Sequence, residues 1–462
     1  MWRRLLLLRA TSGPVGPRWF QPRQYRGLSV LRRRPPPETV AALRELLGDR
    51  FSTAPSVLEH HGRDESYHAP APPDGVAFVE STMEVVRVLE ICAATGTPVI
   101  PFGAGSSIEG QISAKEGGIE PENMSCKVQA GVTREQLNVS LRDTGLFFPV
   151  DPGANATIGG MIATNASGTT TVRYGNMKTC VMSLTAVMPD GRVIKTGSKQ
   201  DAQIVGGVEL RLFGIPEAEK TMICSFPSMQ AAVDTCTTVM QMGIPVARME
   251  LMDEGTVDAV NRYSKLENHL RPTLIVEHHG SSREIEEQSA VVQEIVQDFG
   301  AQDIEVATDP DARKMIWRGR HAVWHAVIAQ VPGSSGFSAD VAVPFSKLAD
   351  VIVETQKDLK DSGLFGPIVG HVGDANFHVL LPINLEDEAL MANAKAFVDR
   401  LVKRALASGG TCTGEHGIGN GKMDYLVMEH GQDGVDVMRA IKQALDPQNI
   451  MNPGKILYGS RQ

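Results

Sequence analysis

A chain of 462 residues is long for a single hydrophobic core, so two or three domains are expected. With 42% hydrophobic and 21% charged residues, it has the composition of an ordinary globular protein. A net charge of -9 speaks against a nucleic-acid footprint. Six scattered cysteines without a CxxC pair speak against a disulfide framework or a zinc knuckle.

The charge is unevenly spread. Residues 1–37 hold Arg3, Arg4, Arg9, Arg18, Arg23, Arg26, Arg32, Arg33 and Arg34 with no lysine, and the first acidic residue is Glu38. This Arg-rich, acid-free start has the character of a mitochondrial transit peptide, the alternative being a disordered basic tail. The run Leu5–Leu8 is far too short to span a bilayer. A mitochondrial location follows as the expectation, in the matrix or associated with the inner membrane.

Glu38–Leu47 then reads as a short amphipathic helix. From Ala77 onward, AFVE, TMEVVRVLEICAATG and TPVIPFGAGSS read as strand, helix, strand and glycine turn. The turn holds Gly103, Gly105, Ser106 and Ser107. Such loops cradle phosphate because glycine lets backbone N–H groups approach closely, although GxG turns are common without a ligand. A second small-residue run, VDPGANATIGGMIATNASGTTTVRYG, covers Val150–Gly175. It is too poor in large apolar residues for a core segment, and loops this long are uncommon unless functional. Two such runs point to a large, flat, phosphate-bearing cofactor.

From about Thr221 the pattern becomes that of a second α/β or α+β domain. Ile368–Leu381 reads as a strand interrupted by GHVGDANFH, and Ala389–Ser408 as an amphipathic helix ended by Gly409 and Gly410. MRAIKQALDPQNIMNPGKIL closes the chain as a helix and a Pro- and Asn-rich cap.

GHVGDANFH and TCTGEHGIGNGK supply His371, Asp374, Asn376, His378, Glu415 and His416. On an uninterrupted strand the odd spacing of His371 and His378 puts them on opposite faces, and a turn around Gly373 lets both point inward. Two imidazoles and a carboxylate are the usual ligand set of an open catalytic metal site, with His416 free to act as a base. Two hydrogen-bonded core histidines fit the same residues. In MIWRGRHAVWHA, Arg320 suits a carboxylate through bidentate hydrogen bonds. His321 and His325 beside it fit a solvated helix better than a second metal face. Asp340 reads as a cap without chemistry, and Cys412 as a thiol with no nucleophile motif around it.

PFGAGSSIEG, VDPGANATIGGMIATNASGTTTVRYG, PVARMELMDE, GHVGDANFH, GTCTGEHGIG and MNPGKIL occur in that order. With them the chain resembles the mitochondrial FAD-dependent D-lactate dehydrogenases, flavoproteins of the vanillyl-alcohol-oxidase type, from about Glu38 to the C-terminus. It is similar, more weakly, to 2-hydroxyglutarate and glycolate dehydrogenases of the same group. The resemblance implies an α+β fold. A two-subdomain, PCMH-type FAD-binding domain would cover residues 38–220 and an antiparallel-sheet substrate or cap domain 221–400. Residues 401–462 would return to the flavin.

By the same resemblance, Pro101, Gly103, Ala104, Gly105, Ser106 and Ser107 would hold the pyrophosphate of a non-covalent FAD. Pro152, Gly153, Gly159, Gly160, Ala166, Ser167 and Gly168 would line the flavin, and Asn452 would close the site. His371, His378 and Glu415 would ligate zinc or manganese, lowering the pKa of a 2-hydroxy acid's hydroxyl. His416 would take the hydroxyl proton while hydride passes to the flavin, Arg320 would hold the carboxylate, and cytochrome c would receive the electrons. GFSADV, Gly336–Val341, lacks the lysine found in relatives that use dicarboxylates, which leans towards D-lactate.

Two stretches depart from the family pattern. Between Gly118 and Val128 only IEPENMSCK remains of a strand, turn and return strand. Between Lys195 and Leu210, TGSKQDAQIVGGVE replaces a helix and a segment of the form GSEGTLGI. The loss, roughly forty residues, exceeds ordinary loop-length tolerance. It raises a rival expectation, a chain with an intact metal half and impaired flavin binding. A metal-dependent hydrolase without FAD is disfavoured by the two glycine-rich runs.

Overall fold

The computed structural model describes residues 34–63, 65–68, 70–106, 125–197 and 207–457. Its first part is built from short elements. Helices Pro37–Leu47 and Thr82–Thr95 pack together through Leu43, Leu47 and Cys92. The second helix starts where Ser81 accepts a hydrogen bond from the Glu84 backbone N–H and stops at left-handed Gly96. The strands expected for AFVE and TPVIPFG shrink to Val76–Ala77 and a single parallel bridge between Val99 and Met451. Pro98 and Pro101 lack the N–H donors that a longer ladder needs.

A four-stranded antiparallel sheet follows, built from β1 (Ser125–Val128), β2 (Val181–Val187), β3 (Val193–Thr196) and β4 (Val208–Arg211) in the order β1-β4-β2-β3. The Val150–Gly175 run, expected as a long loop, instead contains two short helices, Ile158–Thr164 and Thr171–Tyr174. Thr157 caps the first of them by accepting from the Gly160 N–H. Ile158 and Met161 then enter the same core as Leu137 and Phe148. Both shortened stretches fall largely outside the described residues, as does Ser107.

The second part is one seven-stranded antiparallel sheet. Its strands are β5 (Ala218–Ser225), β6 (Arg248–Met252), β7 (Thr273–Gly280), β8 (Gln302–Ala307), β9 (Ser335–Ala342), β10 (Ile368–Gly370) and β11 (Asn376–Ile383), ordered β8-β5-β7-β6-β10-β11-β9. Ile368–Leu381 is therefore a hairpin of two strands, not one interrupted strand.

The period-two alternation sorts the faces of this sheet. Met222, Met249, Leu251, Leu274, Val276, Phe337, Phe377 and Val379 join the core formed with helices Met229–Gln241, Ser282–Asp298, Phe345–Asp361 and Glu388–Ala407. The alternate residues Thr221, Glu250, Glu277, Asp340 and His378 are buried as well. Buried ionisable groups are tolerated when paired, so this second face must be a polar layer with its partners built in. The last helix begins earlier than expected, at Tyr425, and kinks at Gly431.

On the apolar side one ionisable residue stands apart. His278 is 0% exposed, and burial pushes its imidazole down to about 4. Between that value and the ordinary 6.5 the native state binds fewer protons than the unfolded chain. Stability therefore falls as pH drops through this window, by roughly 3 kcal/mol. His278→Leu is expected to flatten the loss, read as urea midpoints at pH 7 and 4.5; an unchanged difference would contradict this account.

Candidate active site

The turn between β10 and β11 solves the register problem of the two histidines. Val372–Asp374 forms a 3-10 turn and Ala375 adopts φ +60°. His371 and His378 then face one another, with ring centroids 5.3 Å apart. Their Nε2 atoms stand 3.1 Å and 3.3 Å from one oxygen, Glu415 Oε1. Ligand atoms at tetrahedral zinc distances lie about 3.4 Å from each other. The three groups thus already have the spacing of a metal triad, and they fit one.

Each imidazole turns its other nitrogen to a buried carboxylate. His371 Nδ1 lies 2.7 Å from Glu250 Oε1, and His378 Nδ1 lies 3.4 Å from Asp340 Oδ1. At His371 the hydrogen-bonded carboxylate fixes the tautomer and ring orientation that present Nε2 to a metal, whereas at His378 the wider separation leaves an electrostatic contact. Glu250 also accepts from Arg320 Nε at 2.7 Å. The second Glu415 oxygen accepts from Ser167 Oγ, which brings the small-residue run into contact with the triad.

The electrostatics follow from these contacts. Burial opposes a charge on His371, but Glu250 and Glu415 outweigh it and hold the imidazole well above its usual value. Asp340 and Glu415 raise His378 against the same opposition. Glu415 itself is held well below the carboxylate range, because His371 and His378 overcome its burial. The surrounding carboxylates thus favour positive charge at the two imidazoles, and a divalent cation bound there would compete with protons for the same nitrogens.

His416 behaves differently. Burial, only partly opposed by Asp340, pushes it down to about 4, so its imidazole is neutral at physiological pH, as a base must be. Its ring stacks on His378 at 4.8 Å with planes 5° apart, and its Nε2 stands 3.9 Å from Glu415 Oε1.

Other sequence-predicted residues sort as follows. Arg320 sits in Pro310–His321, beside the triad rather than in it, with Nε committed to Glu250. Asn376 donates to Asp340 Oδ1 at 2.7 Å. Asp374 stays outside the triad, and burial raises its carboxyl to about 7. His321 and His325 are exposed and lie in successive helices, Pro310–His321 and Val323–Ile328. Burial, reinforced by Glu429, pushes the Cys412 thiol up to about 12, far from a nucleophile.

In the glycine runs, Gly105 takes φ +69° beside Phe102, next to Pro101, Gly103, Ala104 and Ser106. Asn452 N–H donates to Val99 O at 3.1 Å, so the C-terminal segment meets the chain just ahead of this loop. Gly159 and Gly168 have a reason of their own. A Cβ would lie 2.6 Å from Ala130 Cβ in the first case and 2.2 Å from Asp151 O in the second. These two glycines serve the packing of the run itself. Gly153 faces open space, Gly160 packs on Thr157 Oγ1, and Ala166 is buried. The run passes Glu415 at Ser167, which fits a flat cofactor laid along it and reaching the triad.

The sequence does not single out Glu250 and Lys422, and Asp340, expected as a cap without chemistry, instead lies buried inside β9 with the GEHG loop closed on its carboxylate. The available signal was an acid inside apolar, strand-periodic stretches, ARMELM and SADVAV, because acids are almost never buried unless paired.

Fold and site together define an FAD-linked oxidase. The family described as "FAD binding domain" matches residues 73–197, and "FAD linked oxidases, C-terminal domain" matches residues 215–456. A probable mitochondrial D-lactate dehydrogenase of Danio rerio is 43% identical, over 90% of this chain and 91% of the relative. A mitochondrial D-lactate dehydrogenase (cytochrome) of Arabidopsis thaliana is 36% identical, over 91% of this chain and 80% of the relative. The chain belongs to the D-lactate dehydrogenase family of FAD-linked oxidases. Among solved structures, 4-ethylphenol oxidase from Gulosibacter chungangensis shares the fold, with a TM-score of 0.74 at 16% identity over 91% of this chain and 96% of that one.

Glu250→Gln leaves Arg320 and His371 without their shared charge. Removing one partner of a buried ion pair costs about 3–5 kcal/mol, and urea unfolding should show a loss of that size. A loss below about 1 kcal/mol would mean that the pair is not buried in solution.

Proposed function

We propose that this chain oxidises D-lactate, and other small D-2-hydroxy acids, to the 2-oxo acid in mitochondria, with FAD as hydride acceptor and cytochrome c as the onward electron acceptor. The observation that carries the reading is the convergence of His371, His378 and Glu415 next to a neutral His416. The printed names of the relatives, mitochondrial D-lactate dehydrogenases of the cytochrome type, support the substrate, compartment and acceptor. Among the described residues no helix is long and apolar enough to cross a membrane.

When bound, the flavin supplies the hydride acceptor, and a divalent metal held by His371, His378 and Glu415 supplies the Lewis acidity that makes the substrate hydroxyl more acidic. Everything else is done by side chains. Ser167, by donating to one oxygen of Glu415, leaves the other to face the histidines. His416 takes up the hydroxyl proton on Nε2, the nitrogen facing Glu415. Arg320, anchored through Nε, offers its terminal nitrogens to the substrate carboxylate as a fork.

One observation favours a second reading, in which flavin binding is weakened. The alignment with the Danio rerio relative runs over 453 positions yet takes up 90% of the 462 residues here. That relative therefore has residues without a counterpart in this chain. Colour separates the readings: purified protein with a flavin absorption band supports the first, and a colourless metal-containing preparation supports the second. In a flavin-containing preparation, His378→Ala is expected to abolish metal binding and D-lactate turnover while leaving the flavin spectrum intact. Turnover surviving the substitution would sink the metal assignment.

A further inference from the structure

Asp340 stands opposite His378 in the β9–β11 register, and the residue is 1% exposed. A carboxylate buried so deeply needs partners, and here the GEHG loop and β11 provide them. Its Oδ2 accepts from the backbone N–H groups of Glu415 at 3.0 Å and His416 at 2.9 Å, and from Thr413 Oγ1 at 2.7 Å. Lys422 Nζ stands 3.5 Å from the same oxygen. Its Oδ1 accepts from Asn376 Nδ2 at 2.7 Å and faces His378 Nδ1 at 3.4 Å. Two consecutive amides closing on one oxygen form an anion nest, and here the anion belongs to the sheet.

Asp340, His378 and His416 also lie close enough together to have the composition of a second metal site. The donors decide against it. Both Asp340 oxygens are already filled by N–H and O–H groups. The Lys422 ammonium, 3.5 Å from Oδ2, already brings a positive charge to this carboxylate.

We infer that Asp340 is a positioning residue for the reaction. By gripping the amides of Glu415 and His416 while facing His378, it sets two metal ligands and the base in one frame. The inference rests on the metal reading proposed above, and Asp340 itself touches neither metal nor substrate in this account.

The test uses the full chain as wild type, Asp340→Asn and Thr413→Ala, titrated with Co2+ and followed by the visible absorption of the bound ion. Asp340→Asn is expected to weaken Co2+ binding about 10–100-fold, the usual effect of losing such an outer partner. Amide hydrogen exchange in the peptide containing Glu415 and His416 should accelerate alongside, and kcat should fall more than KM for D-lactate rises. Thr413→Ala, which removes a single donor, should move the same readouts less and keeps the test open if Asp340→Asn does not fold. Unchanged Co2+ affinity and exchange in both variants, with wild type binding Co2+, overturns the positioning role and leaves the metal reading standing. A lowered melting temperature with undiminished Co2+ affinity makes the role merely structural and also overturns it. Wild type that binds no Co2+ overturns the metal reading and this inference together.

Discussion

Three carboxylates, Glu250 and Asp340 buried on a sheet face and Glu415 in the loop that closes on it, are packed close together, and the rest of the site is arranged to make that tolerable. Each would cost several kcal/mol if left unpaired. Arg320 and His371 answer Glu250, Lys422 and two backbone amides answer Asp340, and both histidines answer Glu415. Three negative charges against two permanent positive ones leave a deficit, which favours the charged form of both imidazoles. A divalent cation meets it better, because it binds neutral imidazoles and releases the protons to water.

The same constraint explains why the chain needs this sheet. Asp340 and His378 meet only because β9 and β11 pair in one register, and a one-residue slip would send one of them to the apolar face. The Phe337, Val341, Phe377 and Val379 side chains that lock this register lie in the opposite core. The small-residue run is tied down against the polar face at several points. Ser167 reaches Glu415, Arg173 donates to Pro245 O, Tyr174 OH meets His279 Nδ1, and Arg248 approaches Asp151. These ties hold the small-residue run against the face that carries His371, His378 and Glu415.

Much of this was legible in the sequence because it is written in local chemistry. GHVGDANFH and GEHG hold His371, His378, Glu415 and His416, which the fold brings together, and the α+β character is implied by the family motifs alongside the strand and helix periods. The supporting layer was not legible. Glu250 and Asp340 sit in strands whose neighbours are apolar, and nothing local says which partner will neutralise them across 70 or more residues. The resemblance implies that Gly159 and Gly168 line a flavin, and close contacts of the run with Ala130 and Asp151 give these two positions a further reason to be glycine that the sequence does not show. The apolar residues around Pro98 and Pro101 suggest a strand, but the two prolines remove the donors it needs and only the Val99–Met451 bridge forms.

The central claim is that a flavin and a divalent metal act on one 2-hydroxy acid at this site. The most direct measurement is anaerobic addition of D-lactate to the flavin-loaded protein, with and without prior removal of metal by a chelator. The account predicts bleaching of the flavin band by D-lactate, loss of bleaching after chelation, and its return when zinc or manganese is restored. Bleaching that persists undiminished in metal-free protein, or flavin that stays oxidised with metal and D-lactate both present, would contradict it.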